Sequence, residues 1–176
     1  MEFLHSRTRM DSTQPLYRRG LGIGMVVMAI TCLCLLLALS RPVENSLKNH
    51  ASEASAIQSI RAITQAQQQY ETTYPAHGFA CSLATLGGDP TAGAPSPAAA
   101  QMIPADLASG FESGYLFTIY CKDKMTINSL HRYNSYTVTA VPQTVGKTGN
   151  RGFCSDQFGT IKTDPAGGTN CTQPLK

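Results

Sequence analysis

Several features expected of an enzyme or a nucleic-acid-binding protein are lacking in this 176-residue sequence. Its four histidines are dispersed, with no HxxxH or HxH pair that would indicate a metal site. There is no G-x-S-x-G motif, and nothing pairs a nucleophile with a base. The net charge is only +3, and the lysines and arginines after the N-terminus are scattered rather than clustered. We therefore predict no enzymatic activity, no cofactor or metal, and no nucleic-acid partner.

Charge is also lacking in one long stretch, residues 21–40, which read LGIGMVVMAITCLCLLLALS. This run follows the basic pair Arg18-Arg19 and is as long as the roughly 20 residues that one helix needs to cross a bilayer. Basic flanks stay in the cytoplasm, so the chain after the run would lie outside it. A signal peptide cleaved after Ser40 is the alternative, but the run exceeds the usual apolar length of about 7–15 residues.

The domain organisation follows from this run. We predict a cytoplasmic leader over residues 1–20, a transmembrane helix over 21–41 and an extracytoplasmic domain over 42–176.

The six cysteines divide by position. Cys32 and Cys34 lie inside the apolar run, where a thiol behaves as a small apolar group. The other four lie in the polar part, and four cysteines in an exported domain predict two disulfides. Their spacing does not match paired CxxC zinc motifs. Three pairings are possible, and we favour the two that join neighbours along the chain, Cys81–Cys121 and Cys154–Cys171.

Residues 43–74 carry apolar side chains at steps of three and four, which predicts an amphipathic helix. Its expected buried face is Leu47, Ala51, Ala54, Ile57, Ile60, Ile63, Ala66, Tyr70 and Tyr74. Its expected solvent face is Glu44, Lys48, Glu53, Gln58, Arg61, Gln65 and Gln68. Pro42 favours a kink without ending the helix, whereas Pro75 and Gly78 end the pattern.

The remaining residues predict a loop followed by a sheet. The loop covers 75–112 and includes a short helical turn at Ala105–Ala108. The antiparallel strands, within 113–163, are expected at 115–121, 133–141, 151–154 and 158–163, before a tail over 164–176. Asp156–Gly159 joins the last two strands as a hairpin. The fold class is therefore α+β, in which a transmembrane helix continues as an amphipathic helix packed on a small antiparallel sheet.

In this order of elements the chain resembles the type IV pilins and the type II secretion pseudopilins. In that family a basic leader ends in Gly, the mature chain starts at an apolar or aromatic residue, and a Pro lies about two-thirds along the hydrophobic helix segment. The similar residues here are Arg18-Arg19-Gly20, Leu21, Pro42, Ser52–Ala56, Ile57–Tyr74, Leu107–Gly110, Ser113–Tyr115 and Phe153–Gly159.

The resemblance implies a pilin-like fold and cleavage by a prepilin peptidase between Gly20 and Leu21. It implies the bacterial inner membrane as location, with a single pass, a cytoplasmic N-terminus and a periplasmic or extracellular domain. Other pilin or pseudopilin subunits would pack through residues 21–41, where small residues permit close approach. A disulfide clamping the C-terminal region, as Cys154–Cys171 would, is also common in the family.

One position departs from the family pattern. Family members carry a Glu four residues after the mature start, and this Glu pairs with the N-terminal amine of a neighbouring subunit. Met25 occupies this position here, and a thioether cannot form that pair. We expect a membrane-anchored pilin-like or minor pseudopilin subunit of a type IV pilus or type II secretion-like filament. The alternative, which Met25 favours, is a non-polymerising, membrane-anchored binding domain outside the cytoplasm.

Overall fold

The computed structural model describes residues 17–127 and 129–175. For residues 17–21, 38–44 and 127 it describes the backbone only. The predicted leader therefore lies mostly outside the described residues. The helices are α1 (Tyr17–Thr73), α2 (Leu83–Leu86) and α3 (Ala105–Ala108). The strands are β1 (Phe111–Glu112), β2 (Tyr115–Ile127), β3 (Leu130–Pro142), β4 (Gly152–Asp156), β5 (Lys162–Asp164) and β6 (Gln173–Pro174).

The six strands form one antiparallel sheet in chain order, β1-β2-β3-β4-β5-β6. Short connections suffice between antiparallel neighbours, so a meander of this kind needs no crossover. The pair β2–β3 is a long hairpin whose register runs from Tyr115↔Pro142 to Ile127↔Leu130. The predicted α+β class with a small antiparallel sheet is confirmed.

The chain divides into two compact units, Met1–Val43 and Glu44–Lys176. In the second unit, the C-terminal part of α1 contributes to a single buried cluster with one face of the sheet. Ile60, Ile63 and Tyr70 come from the helix, and Phe117 and Val138 come from β2 and β3. Full burial of such a side chain contributes about 1.5–3 kcal/mol relative to exposure.

The prediction for the N-terminal end of this buried face is wrong. Leu47, Ala51 and Ala54 are exposed, whereas Asn49 and Glu53 are buried. The apolar pattern predicts burial of apolar side chains only. It cannot predict the burial of polar side chains that form hydrogen bonds inside the protein. Both polar residues have such partners, as described below.

The predicted transmembrane helix over residues 21–41 is also wrong. Among the residues that the structure describes, no helix is long and apolar enough to cross a membrane. The apolar side chains that the structure describes in the first unit are those of residues 22–37. Charged residues follow in the same helix at Arg41 and Glu44.

The loop and strand predictions need smaller corrections. The helical turn predicted at Ala105–Ala108 is present as α3. The predicted loop also contains α2 and β1, and the predicted tail contains β6, which pairs with β5. The hairpin β2–β3 extends past the predicted strand ends because polar residues such as Lys122 and Lys124 pair along the ladder without an apolar signal. The turn at Asp156–Gly159 is present, with the Gly159 amide donating to the Asp156 carbonyl at 2.9 Å.

Candidate assembly surfaces

Two disulfides fix the irregular segments of the second unit to its sheet. Cys81, at the N-terminal side of α2, is bonded to Cys121 on β2, with a Cα–Cα distance of 5.3 Å. Cys154 on β4 is bonded to Cys171 in the C-terminal segment, with a Cα–Cα distance of 5.9 Å. These are the pairings favoured from the sequence, and Cys32 and Cys34 remain free and exposed.

A buried carboxylate fixes α1 to the loop that precedes β4. One Glu53 oxygen accepts hydrogen bonds from the backbone amides of Asn150 and Arg151, at 2.9 and 3.2 Å. The other accepts from two guanidinium nitrogens of Arg151, at 2.9 and 2.8 Å. Because Glu53 is only 3% exposed, these bonds replace the water that it loses on folding. We call Glu53, Asn150 and Arg151 the Glu53 clamp.

The electrostatics of the clamp follow from these contacts. Burial alone raises the pKa of Glu53, but the Asn150 and Arg151 hydrogen bonds and the Arg151 charge outweigh it, so the pKa lies below its ordinary value. The Tyr115 hydroxyl donates to the Arg151 carbonyl at 2.9 Å. Burial and the Glu53 charge both raise the pKa of Tyr115, which keeps this hydroxyl protonated as a donor.

The backbone of the loop that carries Asn150 and Arg151 passes very close to the Tyr115 side chain. A Cβ added to Gly149 would lie 2.0 Å from the Tyr115 hydroxyl oxygen, so this position admits no side chain without rearrangement. The loop can therefore pass close to Tyr115 and present its amides to Glu53.

Further polar contacts continue along the same face of the helix. Asn49 donates to the Gly146 carbonyl at 3.0 Å, one helical turn before Glu53. Gln67 is fully buried and pairs twice with Ala80: its amide donates to the Ala80 carbonyl at 2.7 Å and accepts from the Ala80 amide at 2.9 Å. Gln67 therefore forms the pair of hydrogen bonds that a residue of a neighbouring strand would form with Ala80. These bonds hold the segment that follows α1 in place.

The apolar pattern of the sequence does not reveal these polar anchors. The prediction of Glu53 on the solvent face is wrong, and the pattern singles out neither Asn49 nor Gln67. A signal was available in the spacing, because positions 49, 53, 56, 60, 63, 67 and 70 alternate steps of four and three, and every one of them is buried.

The first unit presents a different surface. Residues 22–37 of α1 are exposed throughout, and we call them the apolar segment. The consecutive residues Met25, Val26, Val27 and Met28 make up more than one helical turn, and each is more than half exposed. The segment is therefore apolar on all sides rather than along one stripe. Nothing within 4 Å would obstruct a Cβ at Gly22 or Gly24.

The predicted processing site, Gly20 and Leu21, lies within α1 beside the apolar segment, and the prediction remains untested. In the portion of the chain that the structure describes, no group of three or more His, Cys, Asp and Glu side chains could hold a metal ion. No protein-family model, curated protein or solved structure matches this chain.

Proposed function

We propose that this protein is a pilin-like subunit, of the minor pilin or pseudopilin kind, which assembles into a filament through the apolar segment. The observation that carries the proposal is the exposure of residues 22–37 on every side of α1. Exposed apolar patches of this size mark surfaces that bind a partner. A helix that is apolar all round is characteristic of the core of a larger body.

The exposure of apolar side chains on every side of the helix also favours several partners over one. A single docked protein would cover one side of the helix and leave the others in water. Copies of the same helix, packed around each other, would cover every side. Gly22, Gly24 and Ala29 are small, so backbones could approach closely and gain van der Waals contact.

The second unit fits the role of the domain displayed on such a filament. Its two disulfides are bonds that persist in oxidising compartments, which supports a location outside the cytoplasm. The Glu53 clamp and Gln67 hold its part of α1 on the sheet, so that a load on the helix would be shared by the sheet. We further propose that a prepilin peptidase releases the mature chain at Leu21.

The test compares two leucines of α1 that are equally exposed, Leu36 in the apolar segment and Leu47 in the second unit, both at 65%. Sedimentation of the purified full chain should show large assemblies for the wild type and for Leu47→Asp. Leu36→Asp should sediment as a monomer, because a charge inside a packed helical core is not compensated.

A wild-type chain that stays monomeric at all concentrations, in mild detergent and without it, would overturn the filament. That result would favour the second candidate, a non-polymerising binding domain, for which Met25 is the specific observation. N-terminal sequencing of the protein from cells tests the processing step separately. Leu21 as first residue supports it, whereas Arg41 or Met1 contradicts it.

A further inference from the structure

A small polar recess lies on the face of the sheet that points away from the core. Phe153 on β4 packs in the core, and side chains alternate along a strand, so Cys154 and Asp156 point to the opposite face. The register places Thr137 of β3 opposite Asp156, and Lys162 of β5 opposite Cys154. Because directly opposite side chains share a face of the sheet, these four come together on three neighbouring strands.

The recess has a volume of about 180 Å³ and rigid walls. The Cys154–Cys171 disulfide forms one wall. Asp164 holds the segment beyond β5, because its carboxylate accepts from the amides of Ala166 and Asn170 at 2.9 Å each. The polar side chains used in the argument below all line this recess: Thr137, Asp156, Thr160, Lys162 and Thr169.

Most of the hydrogen-bonding capacity of these side chains is unused. One Asp156 oxygen accepts from the Phe158 amide at 3.0 Å, and the other oxygen has no partner among the described residues. Within the part of the chain that the structure describes, no side-chain hydrogen bond or ion pair is formed by Thr137, Thr160, Thr169 and Lys162. An acidic and a basic side chain thus line one recess without pairing with each other.

This combination of groups selects the chemistry of a ligand. A free anion would be repelled by the Asp156 carboxylate, and a free cation by the Lys162 ammonium. An apolar ligand would take the polar groups out of water without replacing their hydrogen bonds. A neutral ligand with several hydroxyls fits, because each hydroxyl can donate to Asp156 or accept from Lys162, and threonine hydroxyls can do either.

The size of the recess narrows the ligand further. Pockets for drug-sized ligands measure about 300–1,000 Å³, so a volume of about 180 Å³ suits one ring-sized unit. A sugar ring is a unit of this kind, with hydroxyls around its edge and C–H groups on its faces.

An exposed aromatic side chain lies in the turn beside the recess. Phe158 is 80% exposed, and in sequence it lies between Asp156 and Thr160, which both line the recess. The turn is fixed by the Phe158 amide, which donates to the Asp156 carboxylate, and by the Gly159 amide, which donates to the Asp156 carbonyl. An aromatic ring offers a large apolar surface for the C–H face of a sugar.

We infer that this recess binds one unit of a neutral carbohydrate, and that Phe158 packs against the next unit of the same carbohydrate chain. Asp156 accepts from sugar hydroxyls, Lys162 donates to them, and the three threonines complete the hydrogen bonds. This binding activity goes beyond filament assembly and does not require copies of the chain to associate.

The test uses saturation-transfer NMR on the purified full chain. The probes are glucose, galactose, mannose and N-acetylglucosamine, with the zwitterion glycine as a comparison. Saturation should pass to at least one of the sugars and not to glycine. Transfer to glycine alone, or to none of the five probes, overturns the inference.

Surface variants locate the site. Lys162→Ala and Thr160→Val alter exposed side chains, so both should fold as the wild type does, which circular dichroism checks. Lys162→Ala removes a charged hydrogen-bond donor and should weaken sugar binding by about tenfold or more. Thr160→Val should weaken it less. Lys124→Ala, an exposed lysine that does not line the recess, is the control and should leave binding unchanged. Equal sugar affinity in all three variants contradicts this site.

Phe158→Ala tests the second contact. Trisaccharides of the bound sugar should bind the wild type more tightly than the single sugar does, and Phe158→Ala should remove that gain while the affinity for the single sugar stays the same. A trisaccharide affinity that Phe158→Ala leaves unchanged overturns the role of Phe158.

Two further variants separate this inference from the others. Cys154→Ser/Cys171→Ser releases a wall of the recess and should abolish sugar binding, whereas Cys81→Ser/Cys121→Ser should retain it. Leu36→Asp should bind sugar as the wild type does. Sugar binding that persists in a monomeric Leu36→Asp chain supports the recess even if the filament proposal fails, and filaments that bind none of the sugars overturn this inference alone.

Discussion

At the residue scale, the attachment of α1 to the sheet depends on a carboxylate that is buried and fully bonded. Glu53 accepts two backbone amides and two guanidinium N–H groups. Each hydrogen bond to a charged group contributes about 1.5–3 kcal/mol, while an unpaired buried charge costs free energy. Replacing one carboxylate oxygen of Glu53 by nitrogen, as in Glu53→Gln, should therefore change the free energy of unfolding measurably.

We predict that Glu53→Gln lowers the free energy of unfolding by about 1.5–3 kcal/mol, because the neutral amide loses the charged hydrogen bonds that the buried carboxylate accepts and turns an N–H group toward other donors. The matched control is Glu71→Gln. Glu71 faces Arg132 at 3.4 Å but is half-exposed, so its loss should cost at most about 1 kcal/mol. Urea unfolding of the wild type and the two variants measures both effects, and equal losses in the two variants would contradict the clamp.

The same contacts predict a pH dependence. The pKa of Glu53 is lower in the folded chain than in the unfolded one, so its contribution is fully present above the ordinary Glu value of 4.5. The contribution is lost as the pH falls from there through the lowered pKa of the folded state. The stability difference between the wild type and Glu53→Gln should therefore be constant from pH 7 to about pH 5 and shrink toward pH 3. A difference that grows on acidification would reverse the sign and refute the assignment.

At the element scale, the sequence indicates the elements better than the contacts between them. The apolar and β-branched runs around Tyr115 and Val138 locate the central strands, and Ile60, Ile63 and Tyr70 locate the buried face of the helix. The same method fails at Glu53 and Gln67 because a buried polar residue looks, in a sequence, like a solvent-facing one. The four-and-three spacing of positions 53 and 67 indicates burial, but the partners that make it possible, Arg151 and Ala80, lie outside the helix and cannot be read from its sequence.

Gln67 provides the element-scale test of that explanation. Gln67→Ala would leave the Ala80 amide and carbonyl without partners in a buried site, and we expect a loss of about 1–3 kcal/mol in unfolding free energy. Gln68→Ala, the exposed neighbour, should change it by less than about 0.5 kcal/mol. Thermal unfolding of both variants in the same buffer measures the two effects. A comparable loss at position 68 would contradict the special role of Gln67, because alanine favours a helix more than glutamine does.

The C-terminal segment gives a second element-scale prediction. It is held by the Cys154–Cys171 disulfide, by the two-residue strand β6, and by Asp164, which accepts from the Ala166 and Asn170 amides at 2.9 Å each. The double variant Cys154→Ser/Cys171→Ser removes the covalent closure, worth about 3 kcal/mol for a loop of this size.

Limited proteolysis of this variant should trim residues 165–176 while α1 and the hairpin β2–β3 stay resistant. The corresponding Cys81→Ser/Cys121→Ser variant is the control and should be cleaved around residues 87–104 instead, leaving the C-terminal segment protected. Identical cleavage maps for the two variants would contradict separate roles for the two disulfides.

At the scale of the whole molecule, the apolar run predicts that the N-terminal part of α1 is shielded from water. It does not predict whether lipid or protein shields it. From residues 21–40 we expected lipid, and that expectation was wrong for the helix as described. Hydropathy measures the cost of exposing side chains such as Val27 and Leu36 to water, and this cost is relieved equally by lipid or by neighbouring helices. The exposure of every side of the segment is a property of the folded chain, and it leads to the proposal that copies of the chain pack together.

The most direct measurement of this claim uses the chain's own free thiols. Cys32 and Cys34 are exposed in the apolar segment, and the other four cysteines are held in disulfides. A short bis-maleimide added to the assembled full-length protein should link copies into a ladder of dimers and larger species on a denaturing gel. Cys32→Ser/Cys34→Ser should abolish that ladder. If the wild-type protein instead yields only monomers at every concentration tested, the apolar segments do not meet, and the filament account is contradicted.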